Sequence, residues 1–367
     1  MQNRNLIFDN LRAICMLGVI AIHAGSLVMT SGTPSEHIFM FFEVLSRYSV
    51  PTFFFISGYG LFLTYGTEKP LHYLHFLKKR LWTIGLPYIL ISLLYMAYVD
   101  ASYPDPHVWD MEAILFKLSF GTSMYHIYFL VILIWFYLLF PLWRLLMKAM
   151  EKLTLKLSLP LLALAQIWLY KASAHFWGYP QWIVSQDWLY NLCQYRLNYL
   201  PLFYLFVFML GGVIARHYQS FLKLITQHRK IITLAFVISA SCNAAIFYRY
   251  TYKWEMDWET TVNTLQQLSL PGLIYTVTAI FFFSMVLQKY QALSTTLCRP
   301  LAERSFLIYL IHPFFLDTLI YHLGYYGYPF NTVPMLPLYG AVVLVSYLAA
   351  EIIHYLLGKI LPRKKGL

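Results

Sequence analysis

The stretch FDNLRAICMLGVIAIHAGS holds two side chains that an apolar helix does not need for folding. Arg12 and His23 stand eleven residues apart. On a helix that is about three turns, so both would face nearly the same way, roughly 16 Å apart along the axis. Ionisable groups inside hydrocarbon are costly and are functional candidates for that reason. An imidazole titrates near neutral pH, which makes His23 a candidate general base. Asp9 precedes Arg12 by three residues and is within reach of an ion pair that would orient it. The plainer alternative is that Arg12 snorkels and His23 makes one interhelical hydrogen bond.

A second apolar stretch, FFEVLSRYSVPTFFFISGYG, carries Glu43 and Arg47 one turn apart. They can pair with each other, either to fix helix register or to present the guanidinium to a developing negative charge. Pro51, Ser57 and Gly58 permit a kink and close helix contact. Ser57 is a second-rank candidate, and no base lies near it in sequence to activate it as a nucleophile. In SFLIYLIHPFFLD, His312 precedes Pro313 and Asp317 follows. The proline frees the carbonyl four residues back, so a structural role for a polar neighbour is favoured there. His126 lies among tyrosines in MYHIYFL and reads as an interfacial anchor or an acceptor-side group. Glu351 and His354 are spaced to pair structurally. Lys78, Lys79 and Arg80 cluster in FLKKRLWTIGLPY, where they could set topology, bind anionic lipid or meet phosphates.

The elements that must position these groups follow from composition. Of 367 residues, 59% are hydrophobic and 12% charged, far too few polar groups to cover a water-facing surface. Runs long enough to cross hydrocarbon fall near 8–29, 38–63, 81–99, 124–147, 157–171, 199–218, 231–248, 268–288, 305–323 and 334–357. The 157–171 run is short, and 112–123 reads as an amphipathic surface segment. The expectation is an all-α polytopic integral membrane protein of about ten transmembrane helices, forming a single domain over 1–367. Alternate loops and the two tails hold 21 of the 27 Lys and Arg, while the opposite loops hold 9 of the 16 acids against five Lys or Arg. By the positive-inside rule both termini are cytoplasmic, as an even span count requires. The net charge of +11 is thus a sidedness signal, with no nucleic acid implied. The first span is too long for a leader peptide. The four cysteines form no CxxC or Cys/His cluster, no metal site is indicated, and no Walker A or dinucleotide turn is present.

Several segments together resemble the membrane acyltransferase-3 family of bacterial and animal O-acyltransferases. Its opening Asp-x-Leu-Arg with a later His is matched by Asp9, Leu11, Arg12 and His23. Its Val-Pro-x-Phe-Phe-x-x-Ser-Gly-Tyr run is matched from Val50 to Tyr59. The basic segment before a Pro-aromatic helix start, a His-x-x-Phe-Leu at His126 to Leu130, and Ser-Phe-x-x-Tyr-Leu-x-His-Pro at Ser305 to Pro313 follow in the family's order. FYLLFPL looks closest to stand-alone members that modify polysaccharides. In place of a second arginine after Arg80, this chain has Thr83.

The resemblance implies transfer of an acyl group, most often acetyl, from cytoplasmic acyl-CoA to a hydroxyl of an extracytoplasmic glycan or glycolipid. Acyl-CoA, with acetyl-CoA favoured, is then a donor substrate, and no cofactor is permanently bound. His23 would be the general base, oriented through Asp9 and Arg12. Arg12, Lys78, Lys79 and Arg80 would hold the donor's phosphates. Arg47, Glu43, Ser57 and His126 would serve the acceptor or the oxyanion. The partners would be the lipid bilayer of the bacterial cytoplasmic (inner) membrane and the two substrates, with homo-oligomers or polysaccharide-synthesis machinery left open. A glycan or lipid exporter without chemistry is the competing class, because intramembrane charges suit it as well. Against it, no inverted repeat is visible.

Overall fold

A computed structural model describes residues 6–26, 36–326 and 335–360. The basic residues Arg4, Arg363, Lys364 and Lys365 lie outside the described residues, as do residues 27–35. The main helices are α1 (Leu6–Ser26), α2 (His37–Thr64), α3 (Tyr73–Ser102), α4 (Met111–Phe120), α5 (Tyr128–Leu138), α6 (Phe140–Leu153), α7 (Leu155–His175), α8 (Pro201–Arg216), α9 (Tyr218–Gln227), α10 (Arg229–Lys253), α11 (Leu270–Lys289), α12 (Gln291–Tyr325) and α13 (Met335–Ile360). Among the described residues no strand occurs. Among the described residues, eight helices are long and apolar enough to cross a membrane, or up to ten if each of two bent pairs is one span. The chain is therefore an all-α, polytopic membrane protein.

Helix ends depart from the hydropathy runs where polar residues continue a helix. α3 begins at Tyr73 because YLHFLKKR contains no breaker and ends in strong helix formers. Lys78, Lys79 and Arg80 are thus helical, followed at once by a π-turn over Leu81–Gly85. α7 runs 21 residues, longer than its apolar run. The 124–147 run is two helices, α5 and α6, which meet at 66°. Pro141 in the first turn of α6 supplies no N–H, so the helical ladder restarts there. α4 covers most of the 112–123 segment, and Gly121, at a φ of 63°, closes it.

Contacts divide the chain into two compact units, Met1–Ile56 with Gln219–Leu367, and Ser57–Tyr218. In the first unit α1 is the most enclosed candidate span, 61% buried, whereas α10 and α13 are 22% buried. α1 packs chiefly on α12, then on α2 and α13. Small residues allow this. Gly18 lies against the Ser49 side chain, and Gly25 lies 3.1 Å from the Glu43 backbone nitrogen, measured from where a Cβ would stand. Seven residues apart, the two glycines share a face and let α2 approach closely. Buried Asn10 donates to Ser294 Oγ (3.2 Å) and Thr295 Oγ1 (3.3 Å), pinning the start of α1 to α12. Glu351 pairs with Arg304 at 3.0 Å, tying α13 to α12.

In the second unit, Phe136 stacks on Phe208 at 4.1 Å, and Gly212 lets Phe62 and Met147 close on α8. α8 opens with a 3-10 turn over Pro201–Tyr204, and its loose backbone groups are met by α7. Gln166 Nε2 and Tyr170 OH donate to the Phe203 carbonyl, while Gln166 Oε1 accepts from the Phe206 N–H. The long segment after α7 is folded around Arg196. Its guanidinium donates to Ser173 Oγ and O, Tyr179 OH and the Cys193 carbonyl, and lies 4.2 Å from the Trp177 ring. On another side of this unit Arg216 bridges Glu151 and Glu68, and that guanidinium holds Glu68's exposed carboxyl below the usual carboxylate range.

Gly58 and Gly60 give an internal comparison. A Cβ on Gly58 would meet the Phe208 carbonyl, whereas one on Gly60 meets open space. Gly58→Ala should therefore lower stability by about 1–3 kcal/mol. Gly60→Ala should be neutral or stabilise by up to about 1 kcal/mol. Unfolding of the detergent-solubilised protein, followed by tryptophan fluorescence, measures both. Equal effects would remove the close-approach role of Gly58.

Candidate functional site

α2 supplies the charged part of the site because it is not a regular helix. Met40–Val44 forms a π-turn that contains Glu43, and a turn over residues 45–48 follows before the helix resumes at Ser49. Pro51 lies in the first turn of the resumed helix, so the break falls before it and not at Ser57 or Gly58. In the break, the Ser49 N–H bonds the Ser46 carbonyl (3.0 Å), leaving the Leu45 carbonyl without its helical donor. Tyr275 OH of α11 donates to it at 2.9 Å. The irregular backbone is thus satisfied from a neighbouring helix, as hydrocarbon demands.

Arg47 projects from this break. Its Nη2 pairs with Glu43, and its Nη1 donates to Gln267 Oε1 at 3.3 Å. Glu43 is 3% exposed and Arg47 16%. Arg47 Nε is buried with no hydrogen-bond partner among the described residues, so one donor of the fork is uncommitted. Ser26 Oγ lies 2.9 Å from the Ile22 carbonyl and 3.4 Å from Glu43 Oε2, so the carbonyl takes its proton.

His23 is half-buried, near the end of α1, and the charge of Arg47 acts on it. Its ring stacks on that of His312, with centroids 5.3 Å apart and planes at 29°. His312 is fully buried. Its Nδ1 lies 2.9 Å from the Tyr309 carbonyl and 3.1 Å from that of Ile308. The Tyr309 carbonyl is the one Pro313 leaves without a donor, so the structural role read for a polar neighbour is present. What the sequence did not reveal is that this ring lies against His23. A signal existed in the His-Pro pair of the late motif, but spacing along one chain cannot locate a partner on another helix.

Asp9 and Arg12 form an ion pair at 3.6 Å, with the Arg12 side chain 37% exposed. The first unit therefore joins Glu43 to Arg47 and Asp9 to Arg12, and places His23 within the field of Arg47. Lys78, Lys79, Arg80, Ser57 and His126 belong to the second unit. There Lys78 and Lys79 are exposed. The Arg80 guanidinium lies over the rings of Tyr65, Phe76 and Tyr137, at 5.7, 5.8 and 5.5 Å. Ser57 is half-buried. His126 sits in the turn before α5, 2% exposed and edge-on to Tyr95 at 5.5 Å, so it is buried within the protein. Among the described residues no group of three or more His, Cys, Asp or Glu is placed to hold a metal.

The buried ion pair makes a stability test. Glu43→Leu or Arg47→Leu alone strands a charge and should cost about 3–5 kcal/mol. The double variant should be less destabilised than either single one. Denaturation of all four proteins in the same detergent gives the coupling, and simple additivity would mean the pair does not act as a unit.

Residues 5–351 match the family model for an acyltransferase domain, that of acyltransferase 3. No curated protein and no solved structure matches the chain significantly. The family match takes in every residue placed above, across both units and nearly the whole sequence, and so the chain belongs to the acyltransferase-3 family.

Proposed function

We propose that the chain works as one O-acyltransferase domain, moving an acyl group, acetyl by preference, from cytoplasmic acyl-CoA to a hydroxyl of an extracytoplasmic glycan or glycolipid. The observation that carries this reading is the half-buried His23, held in the most enclosed candidate span of the first unit and within the field of Arg47, in a chain of an acyltransferase family. The proposed setting is the bacterial cytoplasmic membrane, with both termini inside, as the distribution of basic residues supports.

In this reading His23 takes the proton of the acceptor hydroxyl as that oxygen attacks the thioester carbonyl. The tetrahedral oxyanion that forms meets the Arg47 guanidinium, which Glu43 holds in place. Collapse breaks the carbon–sulfur bond, and the proton on His23 passes to the departing thiolate. Each turnover consumes one hydroxyl and one thioester and yields one ester and one thiol. Donor phosphates are assigned to the basic residues Arg12, Lys78, Lys79 and Arg80, by charge-assisted hydrogen bonds. Ser57 and His126 are assigned to the acceptor side.

The deciding experiment incubates radiolabelled acetyl-CoA with membranes that contain the protein and with matched membranes that lack it. Label appearing in envelope glycan only when the protein is present supports the enzyme. Loss of glycan export with no acylated product would overturn it in favour of transport. His23→Ala should lower kcat about 10²–10⁴-fold with the donor KM unchanged. Full activity in that variant removes His23 from the base role.

Arg12→Ala should act on binding instead. Loss of one charge-assisted phosphate contact predicts a rise of about ten-fold or more in KM for acetyl-CoA, with kcat little changed. An unchanged KM would make the Asp9–Arg12 pair a structural feature only.

A further inference from the structure

Resting on the acyl-transfer reading of His23, we infer that His312 is a positioning residue for that base. The argument begins with Pro313. Lacking an N–H, it leaves the Tyr309 carbonyl without a helical donor. The His312 ring takes the place of the missing donor, with Nδ1 2.9 Å from the Tyr309 oxygen and 3.1 Å from the Ile308 oxygen. A carbonyl oxygen only accepts, so Nδ1 carries the hydrogen. This sets the tautomer of the neutral ring, with its lone pair at Nε2. It also fixes the ring plane, because Nδ1 is tied to the backbone of its own helix.

The fixed ring is the surface against which His23 lies, at 5.3 Å between centroids and 29° between planes. α1 and α12 form the most extensive helix pair of the structure, so the two rings are set by helices that are themselves locked together. Accessibility divides their roles. His312 is completely buried and cannot meet a substrate, whereas His23 is half-buried and can. A general base must hold its lone pair toward the reacting hydroxyl, and a ring free to turn spends most of its time misdirected. The proline, the freed carbonyl and the locked imidazole together form a device that orients the catalytic ring without touching substrate.

Three variants of the full chain test this. His312→Asn keeps an amide N–H where Nδ1 stands, so the Tyr309 carbonyl stays satisfied while the ring is lost. It should fold with an unchanged unfolding midpoint and an unchanged KM for acetyl-CoA, and lose about 10²-fold in kcat. Full kcat in a folded His312→Asn protein would show that His312 only repairs the backbone. Should that variant not fold, Pro313→Ala decides. It returns a backbone donor to Tyr309, releases the His312 ring and favours the helix. It should lower kcat at constant KM, and an undiminished kcat overturns the inference. In the third, combining His312→Asn with His23→Ala should add no further loss beyond His23→Ala, and an additive loss would mean that His312 acts independently of His23. NMR of isotope-labelled histidine, with His23 assigned by its absence in His23→Ala, should show the His23 ring resonances moving in His312→Asn even before any substrate is added. If instead His23→Ala is active, the base reading itself fails. A silent His312→Asn beside an inactive His23→Ala rejects only the positioning role.

Discussion

Backbone polar groups inside hydrocarbon have no water to turn to, so each break in a helix must be closed by a side chain from the protein itself. Nearly every informative feature of this structure follows from that constraint. The Leu45 carbonyl is met by Tyr275, the Phe203 carbonyl by Gln166 and Tyr170, and the Tyr309 carbonyl by His312. Two of these three repairs stand beside candidate site residues: Arg47 emerges from the break that Tyr275 closes, and His312 lies on His23. Departures from regular helix are where polar side chains can be kept, and polar side chains are what chemistry requires.

The same constraint explains why α1 is central. Apolar surface gives little reason for helices to associate in lipid, so small residues and hydrogen bonds must do it. Gly18 and Gly25 bring α2 close, Asn10 pins α12, and the Tyr339 hydroxyl donates to the Leu17 carbonyl from α13. A helix held on three sides can present Arg12 and His23 in fixed directions. A peripheral helix such as α10 could not.

Much of this was legible in the sequence, and the reason is physical. A span is a composition signal, so ten apolar runs located the helices, and ionisable residues inside them located the candidates. Spacing also foretold two local contacts, Asp9 with Arg12 within α1 and Glu43 with Arg47 at the break in α2, because a separation of three or four residues keeps the side chains close. Three things were not legible. The restart at Pro141 lies within uniformly apolar or aromatic sequence, where hydropathy does not change, and the break at residues 45–48 contains no Pro or Gly to mark it. The start of α3 was placed late because charge is no bar to helix. The meeting of His23 with His312 depends on which helices pack together, and no period within either segment encodes it. The burial of His126 was not legible either, because its contact with Tyr95 comes from a helix remote in sequence.

A buried ion pair such as Glu43–Arg47 is weak evidence for stability, since well-packed apolar residues of similar volume often do as well. Its retention therefore asks for another reason, and the geometry offers one. Glu43 is enclosed and committed to Arg47, while Arg47 keeps one buried N–H without a partner among the described residues, and its charge acts on His23. A guanidinium alone at this depth would be costly. Paired, it can remain, and in the proposed reaction its unmatched donor is assigned to a charge that exists only during turnover. That is the condition for transition-state stabilisation: an interaction incomplete in the resting protein and completed as negative charge develops. The histidine pair follows the same logic. His312 is fully buried and tied through Nδ1 to its own helix, whereas His23 is half-buried and is the imidazole to which the proposed proton exchange is assigned.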